Sequence, residues 1–375
     1  MPRGVAFPTT EEEVASVLQQ AAAAGEVVIP WGAGTKQDYG SPLSRADLVV
    51  SLERLNQVVE YVPADMTITV QAGMRLADLQ AVTAIHGQTV PLDPPRAVQA
   101  TLGGVVATAS SGPRRTAYGG VRDLVLGVRL ALADGRIIRA GGKVVKNVAG
   151  YDLTRLAIGS LGTLGIVTEV SLRLRPLPAD TKTVLYGFRD AERALGAADS
   201  VLGSELLPAA ITLLSPEAAR RLGTPGSYCL ALALEESPEN NAYQVQRLSQ
   251  VVQGQDGAST IAGPDETVFW DSLANFDQRF GAIWRARVNS LIGDLPRLLR
   301  GNAVAHVASG TVLLYGFGEE ESFPEQAVLE SGPLALRESV AVWGEARPEW
   351  KLAERIKQTF DPGRVLNRGR YVGGI

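Results

Sequence analysis

The sequence predicts an α+β protein in two parts with a returning tail, and three observations carry this. Through residue 178, short strands alternate with helices and are joined by tight glycine turns. Beyond Pro176 and Pro178 the glycine loops thin out, and longer helical stretches alternate with apolar runs. Near the end, EWKLAERIKQTF is amphipathic at helical spacing and runs into a turn-rich tail. The expected boundaries are 1–178, 179–345 and 346–375.

The stretch PTTEEEVASVLQQAAAAG opens the first part as a helix. Thr10 and Glu13 have capping-box spacing, Val14, Val17, Leu18 and Ala21 share one face, and Gly25 ends it. Strands follow in EVVIP, ADLVVSL and MTITVQAG, the last passing into the helix RLADLQAVTAIHG with His86 as a C-terminal capping residue. After TLGGVVATASSG, the run DLVLGVRLALADGRIIRAGG reads as a hairpin turning at Asp134-Gly135. In LAIGSLGTLGIVTEV, Gly159, Gly162 and Gly165 stand three apart. Such spacing weakens a core strand unless something large lies against the backbone. In the second part, DAERALGAADSVLG and AYQVQRLSQVVQG read as helices, LPAAITLL and GTVLLYGFG as strands.

Composition narrows the function. At 375 residues the chain can bury separate cores, and its 40 glycines cluster in loops without a repeat. A net charge of -4 offers no basic stripe for a nucleic-acid backbone, so no nucleic-acid partner is expected. The single cysteine, Cys229, sits in an apolar run as a structural residue and excludes an intrachain iron–sulfur cluster, which takes about four thiolates. His86 and His306 lie too far apart in sequence to suggest zinc, and no metal is expected. There is no transmembrane run and no signal-peptide pattern, which points to the cytoplasm.

Among nucleotide loops, VVIPWGAGTK is the first candidate. A Rossmann fingerprint needs a third glycine at 37, where Gln37 stands, and DYGSP breaks the helix that should open there. AGGKVV lacks the other parts of a Walker A loop. The backbone N–H groups of Gly32, Ala33, Gly34 and Thr35 can instead form a nest for a diphosphate, although a GAG by itself also serves as an ordinary turn.

IPWGAGTK, TITVQAGMRLADLQ, the run from TLGGVV to IIRAGG, and AGYDLTRLAIGSLGTLGIVTEVSLRLRPLP follow one another as in FAD-binding domains of the vanillyl-alcohol-oxidase type. The resemblance covers about residues 7 to 178, and FDPGRVLNRGRY resembles that family's closing segment. Within it, KVVKNVAGYDLTRLAIGSLGTLGIVTE and the short cap resemble the FAD-binding E subunits of bacterial glycolate oxidases. The resemblance implies a two-subdomain FAD-binding domain followed by a smaller α+β cap. It implies FAD held by Trp31, Gly32, Ala33, Gly34, Thr35 and Lys36 at the diphosphate, and by Thr101, Gly103 and Gly104 where backbone approaches closely. Ser110, Ser111 and Gly112 would supply donors and room, and Tyr118 and Gly119 would continue that wall. Gly159, Gly162 and Gly165 would clear space, Ser160 and Thr163 offer hydroxyls, and Ile166 and Val167 pack near the adenosine. Without a His or Cys in the diphosphate loop, the FAD is expected to be non-covalent.

Several of these residues carry a second reading. Tyr118 also suits a core aromatic, Lys143 and Lys146 suit either a phosphate or a solvated face, and Asp152 suits a helix cap. Relatives that oxidise 2-hydroxy acids carry a histidine constellation that this chain lacks, and His306 stands alone in an apolar strand. In IWRARVNS, Arg285 and Arg287 share a strand face; Arg285 is the candidate clamp for a substrate carboxylate, or a salt-bridged arginine. The resemblance therefore implies a subunit acting on a 2-hydroxy acid, glycolate, beside a second FAD subunit and an iron–sulfur subunit. A complex of that kind could sit peripherally at the inner membrane. The alternatives are a stand-alone FAD oxidase of another small hydroxy acid or alcohol, and a non-catalytic flavin subunit.

Overall fold

The structure, a computed structural model, describes residues 2–142, 152–318 and 324–375. Helix Glu11–Ala23 starts at Thr10, whose hydroxyl accepts from the Glu13 N–H at 3.2 Å. The Glu13 carboxylate accepts from the N–H and hydroxyl of Thr9, so the expected box closes one residue early. Val14, Ala15, Leu18 and Ala21 are buried. Glu11, in the first turn, takes the guanidinium of Arg129 and the Thr168 hydroxyl, which fixes the helix on the sheet carrying both. The helix after Gln71 spans Leu76–Ala84 and is capped by Ile85; His86 does not cap it but packs its ring edge-on against Tyr61 at 5.3 Å. An aromatic face offers the exposed imidazole more contact than the last carbonyls do.

Two units divide the chain. The first gathers Met1–Ser111, Gly120–Leu177 and Arg337–Ile375. It holds a three-stranded parallel sheet in which Leu48–Ser51 lies between Gly4–Ala6 and Val28–Trp31. Its second sheet is antiparallel, in the order Val58–Val62, Thr67–Gln71, Ile166–Arg173, Val125–Ala131, Ile137–Gly141. The last two strands form the expected hairpin, with Gly135 at φ +84 in its turn. One apolar core, including Leu18, Val28, Ile68, Leu102, Val170 and Leu366, runs through the whole unit.

The tail joins that core by specific bonds. Val28 N–H donates to the Val365 carbonyl (2.7 Å) and Asn367 N–H to the Val28 carbonyl (3.0 Å). In helix Trp350–Phe360 the ammonium of Lys357 is buried and donates to Asp361 (2.6 Å) and to the carbonyls of Thr163 (2.8 Å) and Leu366 (3.0 Å). All three of its donors are used.

The second unit, Gly112–Gly119 with Pro178–Leu336, is built on an eight-stranded antiparallel sheet. Its order is Gly257–Ala262, Asp180–Phe188, Tyr228–Glu236, Ala210–Leu214, Asn302–His306, Thr311–Gly316, Trp284–Asn289, Val328–Ser331. Helices Ala191–Leu202 and Pro238–Val251 cover it, with alanines Ala194, Ala197 and Ala198 allowing close approach. The fold is thus α+β, as the sequence predicts.

Candidate FAD site

In the first unit, strand Val28–Trp31 leads into the glycine loop. Gly34 has φ +71, and a Cβ there would meet the Trp31 ring at 2.6 Å; at Gly32 it would run into the Thr101 hydroxyl. Neither position accepts a larger residue without rearrangement. Among the described residues, the backbone N–H groups of Gly32, Ala33, Gly34 and Thr35 find no protein acceptor, the condition for an anion nest. Arg96, itself at φ +59, donates to the Thr35 carbonyl at 2.9 Å and braces the loop from behind. Facing it is helix Leu102–Thr108, where Gly103 N–H bonds the Ala72 carbonyl at 2.7 Å and its missing side chain lets the helix sit against Ala72.

The third wall is the loop into strand Ile166–Arg173. Leu161, at φ +53, donates its N–H to the Ala107 carbonyl at 2.8 Å, and Gly162 follows at φ +66. These walls enclose a cleft open to solvent, with about 670 Å³ of empty space when the solvent at its mouth is counted. Trp31, Gly32, Ala33, Gly34, Thr35, Lys36, Thr101, Gly103, Gly104, Gly162, Gly165, Ile166 and Val167 line it together. Asn367 and Arg370 of the tail line it too. Sequence reasoning singled out their segment but neither residue; the signal was an Asn and an Arg beside glycine in a turn, NRGR.

Other expected residues lie elsewhere. Gly159, Ser160 and Thr163 line a separate cavity with Leu352, Ile356 and Tyr371, and the Thr163 hydroxyl is spent on the Ser160 carbonyl at 2.7 Å. The loop therefore turns successive pairs to opposite sides, 159–160 and 163–164 to this cavity and 161–162 to the cleft, which spacing alone does not reveal. Ser110 and Ser111 follow Ala109, the left-handed C-cap of helix Leu102–Thr108, and are not among the cleft's lining residues. Gly112, Tyr118 and Gly119 belong to the second unit. There the Tyr118 hydroxyl donates to Glu235 at 2.8 Å, and burial together with that carboxylate pushes its pKa up. Arg114 bonds the same carboxylate at 2.5 Å and lies over the Trp270 ring, so this arginine of the SGPRRTAYGG turn serves its own unit. Asp152 caps helix Leu153–Ala157 by accepting from Arg155 N–H. Lys143 and Lys146 lie outside the described residues.

In the second unit Arg285 is 2% exposed and sits between Asp277 (3.4 Å) and Glu330 (3.1 Å), with Arg287 also on Glu330 at 2.8 Å. Removing the shared cation leaves buried carboxylate charge behind, so Arg285→Met is expected to cost about 3 kcal/mol of stability, measured by urea unfolding. His306 is buried, with Nδ1 3.2 Å from the Thr212 hydroxyl, and burial with Arg115 lowers its pKa to about 4. Above pH 6.5 the ring is neutral both folded and unfolded. Between 6.5 and 4 only the unfolded chain takes the proton, so stability falls by about 1.4 kcal/mol per pH unit on acidification. His306→Gln should flatten that slope in unfolding measured from pH 7 to pH 4.5. Cys229 is buried, its thiol pKa pushed up to about 12, and it is inert as a nucleophile.

The cleft fits FAD on its own features: nest N–H groups without acceptors, glycines where backbone must approach, and the buried Asn367 Oδ1 and Arg370 Nε without a protein partner. Comparison with known proteins agrees. An FAD binding domain family model matches residues 2–141. Glycolate oxidase subunit GlcD of Bacillus subtilis is 35% identical over 417 residues, covering 99% of this chain and 89% of that protein. Glycolate oxidase subunit GlcE of Escherichia coli is 30% identical over 348 residues, covering 90% of this chain and 91% of that protein. A solved structure of p-cresol methylhydroxylase shares the fold, with a TM-score of 0.75 at 16% identity over 98% of this chain and 88% of that one. The chain belongs to the FAD-linked oxidoreductase family of the vanillyl-alcohol-oxidase type that includes the glycolate oxidase subunits, and FAD is its cofactor.

Proposed function

We propose that this chain is the E-type FAD subunit of a glycolate oxidase or dehydrogenase complex, contributing to oxidation of glycolate to glyoxylate and onward electron transfer. What supports the choice of subunit is length: the match to GlcE takes 348 residues for 90% of this chain and 91% of that protein, whereas GlcD, although 35% identical and matched over 99% of this chain, needs 417. GlcD aligns over 417 residues against this chain's 375, so it holds additional segments. Bound FAD supplies the two-electron acceptor for a CH–OH group. The first unit grips the nucleotide through its nest and glycine walls, and the second unit is the cap. Neither histidine is placed as a base: His306 is held neutral in a sheet, and His86 lies exposed on Tyr61. The proton-accepting group and the iron–sulfur relay accordingly sit on partner subunits, a second FAD subunit and a cysteine-rich one, in a cytoplasmic complex peripheral to the inner membrane.

The test is to isolate the tagged chain from its native cell and assay glycolate-dependent dye reduction with and without the co-purifying proteins. Turnover is expected only with them; full turnover by the isolated chain would establish a stand-alone oxidase instead. Acid precipitation should release the yellow colour into the supernatant, as non-covalent FAD requires; colour in the pellet would contradict it. In this reading Arg285 serves the second unit's stability. Arg285→Lys in the assembled complex separates that role from a substrate clamp: a raised KM with unchanged thermal stability assigns it to the 2-hydroxy acid.

A further inference from the structure

The lining of the cleft includes Lys36 and Arg370 and no carboxylate. Arg370 is 5% exposed; its Nη2 donates to the Gln37 carbonyl at 3.0 Å, while its Nε has no partner. A second guanidinium stands nearby, that of Arg337, which donates to the Gly40 carbonyl at 2.8 Å. Burial first, then Arg337, lowers the Arg370 pKa to about 10, and Asp38 is the carboxylate that acts on both arginines. Holding a buried cation beside a second, half-buried one against one carboxylate is unfavourable until an anion joins them. Asn367, 3% exposed, adds the opposite polarity: its Nδ2 is committed to the Leu161 carbonyl at 2.6 Å, which turns Oδ1 away as an acceptor without a partner. An acceptor cannot bind phosphate; it requires a hydroxyl or amino donor.

We infer that the tail reads the ADP half of FAD, Arg370 Nε donating to a diphosphate oxygen and Asn367 Oδ1 accepting from a ribose hydroxyl or the adenine amino group. The nest N–H groups at 32–35 then meet the diphosphate from the other side, and the tail distinguishes the dinucleotide from flavin mononucleotide. The inference rests on FAD being the cofactor and adds which part of it the last residues hold.

Two measurements on the full-length apoprotein test it. Arg370→Gln should weaken FAD and ADP at least 30-fold by fluorescence and calorimetric titration, with Arg370→Lys intermediate because an ammonium keeps the charge without the Nε donor. Hydrogen exchange on the wild-type chain needs no substitution: ADP should slow the amides of residues 365–371, and flavin mononucleotide should leave them unchanged. If Arg370→Gln does not fold, exchange decides. FAD and ADP affinities within threefold of wild type, or a tail that ADP does not protect, overturns the inference while leaving the FAD assignment standing. A wild-type chain that takes up no FAD overturns that assignment itself.

Discussion

Asp361→Ala is expected to lower the stability of the chain by about 3–5 kcal/mol, the usual result of stripping a buried ion of its partner. The Lys357 and Asp361 side chains are 1% and 0% exposed. Asp361 accepts from Lys357 Nζ and also from the N–H groups of Val365 (2.9 Å) and Leu366 (2.8 Å). Losing it strands an ammonium and two amides together. Burial already pulls the Lys357 pKa down, with Asp361 opposing that pull. Because Lys357 also grips the Thr163 carbonyl, the variant should loosen the cofactor loop and lower FAD occupancy. Urea unfolding with an unchanged m-value measures the first effect, and the visible flavin band the second. A loss below about 1 kcal/mol would contradict the buried-pair account.

Gly162→Val should abolish FAD binding. At φ +66 a β-branched side chain is strained by about 1–3 kcal/mol before any contact is counted. Its Cβ would stand 3.3 Å from Pro30 Cγ and 3.4 Å from Asn367 Nδ2, crowding two other walls of the cleft. Gly159→Ala is the matched control. That position also has positive φ, at +80, but faces the second cavity, with a Cβ 3.5 Å from that of Ala109. It should lose stability and keep most of its flavin. Full occupancy in Gly162→Val, read from the ratio of flavin to protein absorbance, would move the site elsewhere.

The nest loop was legible because its two glycines are irreplaceable for reasons a sequence displays: tight spacing after a strand. The split between Gly162 and Gly159 was not. Both fit a loop of small residues, and which side each faces depends on the left-handed backbone at 159, 161 and 162, which spacing does not display. Tyr118 illustrates another limit. Its neighbours in sequence are loop glycines, but its hydroxyl answers to Glu235, 117 residues away, a pairing no local pattern encodes. The same holds for Arg285, whose strand and face were readable while its flanking carboxylates come from two separate elements. Asn367 and Arg370 were visible as turn residues, yet their importance comes from where Lys357 and Asp361 pin the tail.

That pinning has a consequence for how the protein is made. Strand Val28–Trp31 is made more than 300 residues ahead of its neighbours at Val365 and Asn367. A nascent chain can therefore form the second unit's sheet well before the first unit has its last partner, and the coenzyme pocket stays unfinished until residues 367–370 are made. Flavin loading then waits for those residues. Chains stopped before residue 357 would emerge colourless and expose apolar core around Val28, which marks them as targets for quality control rather than as partly active enzyme.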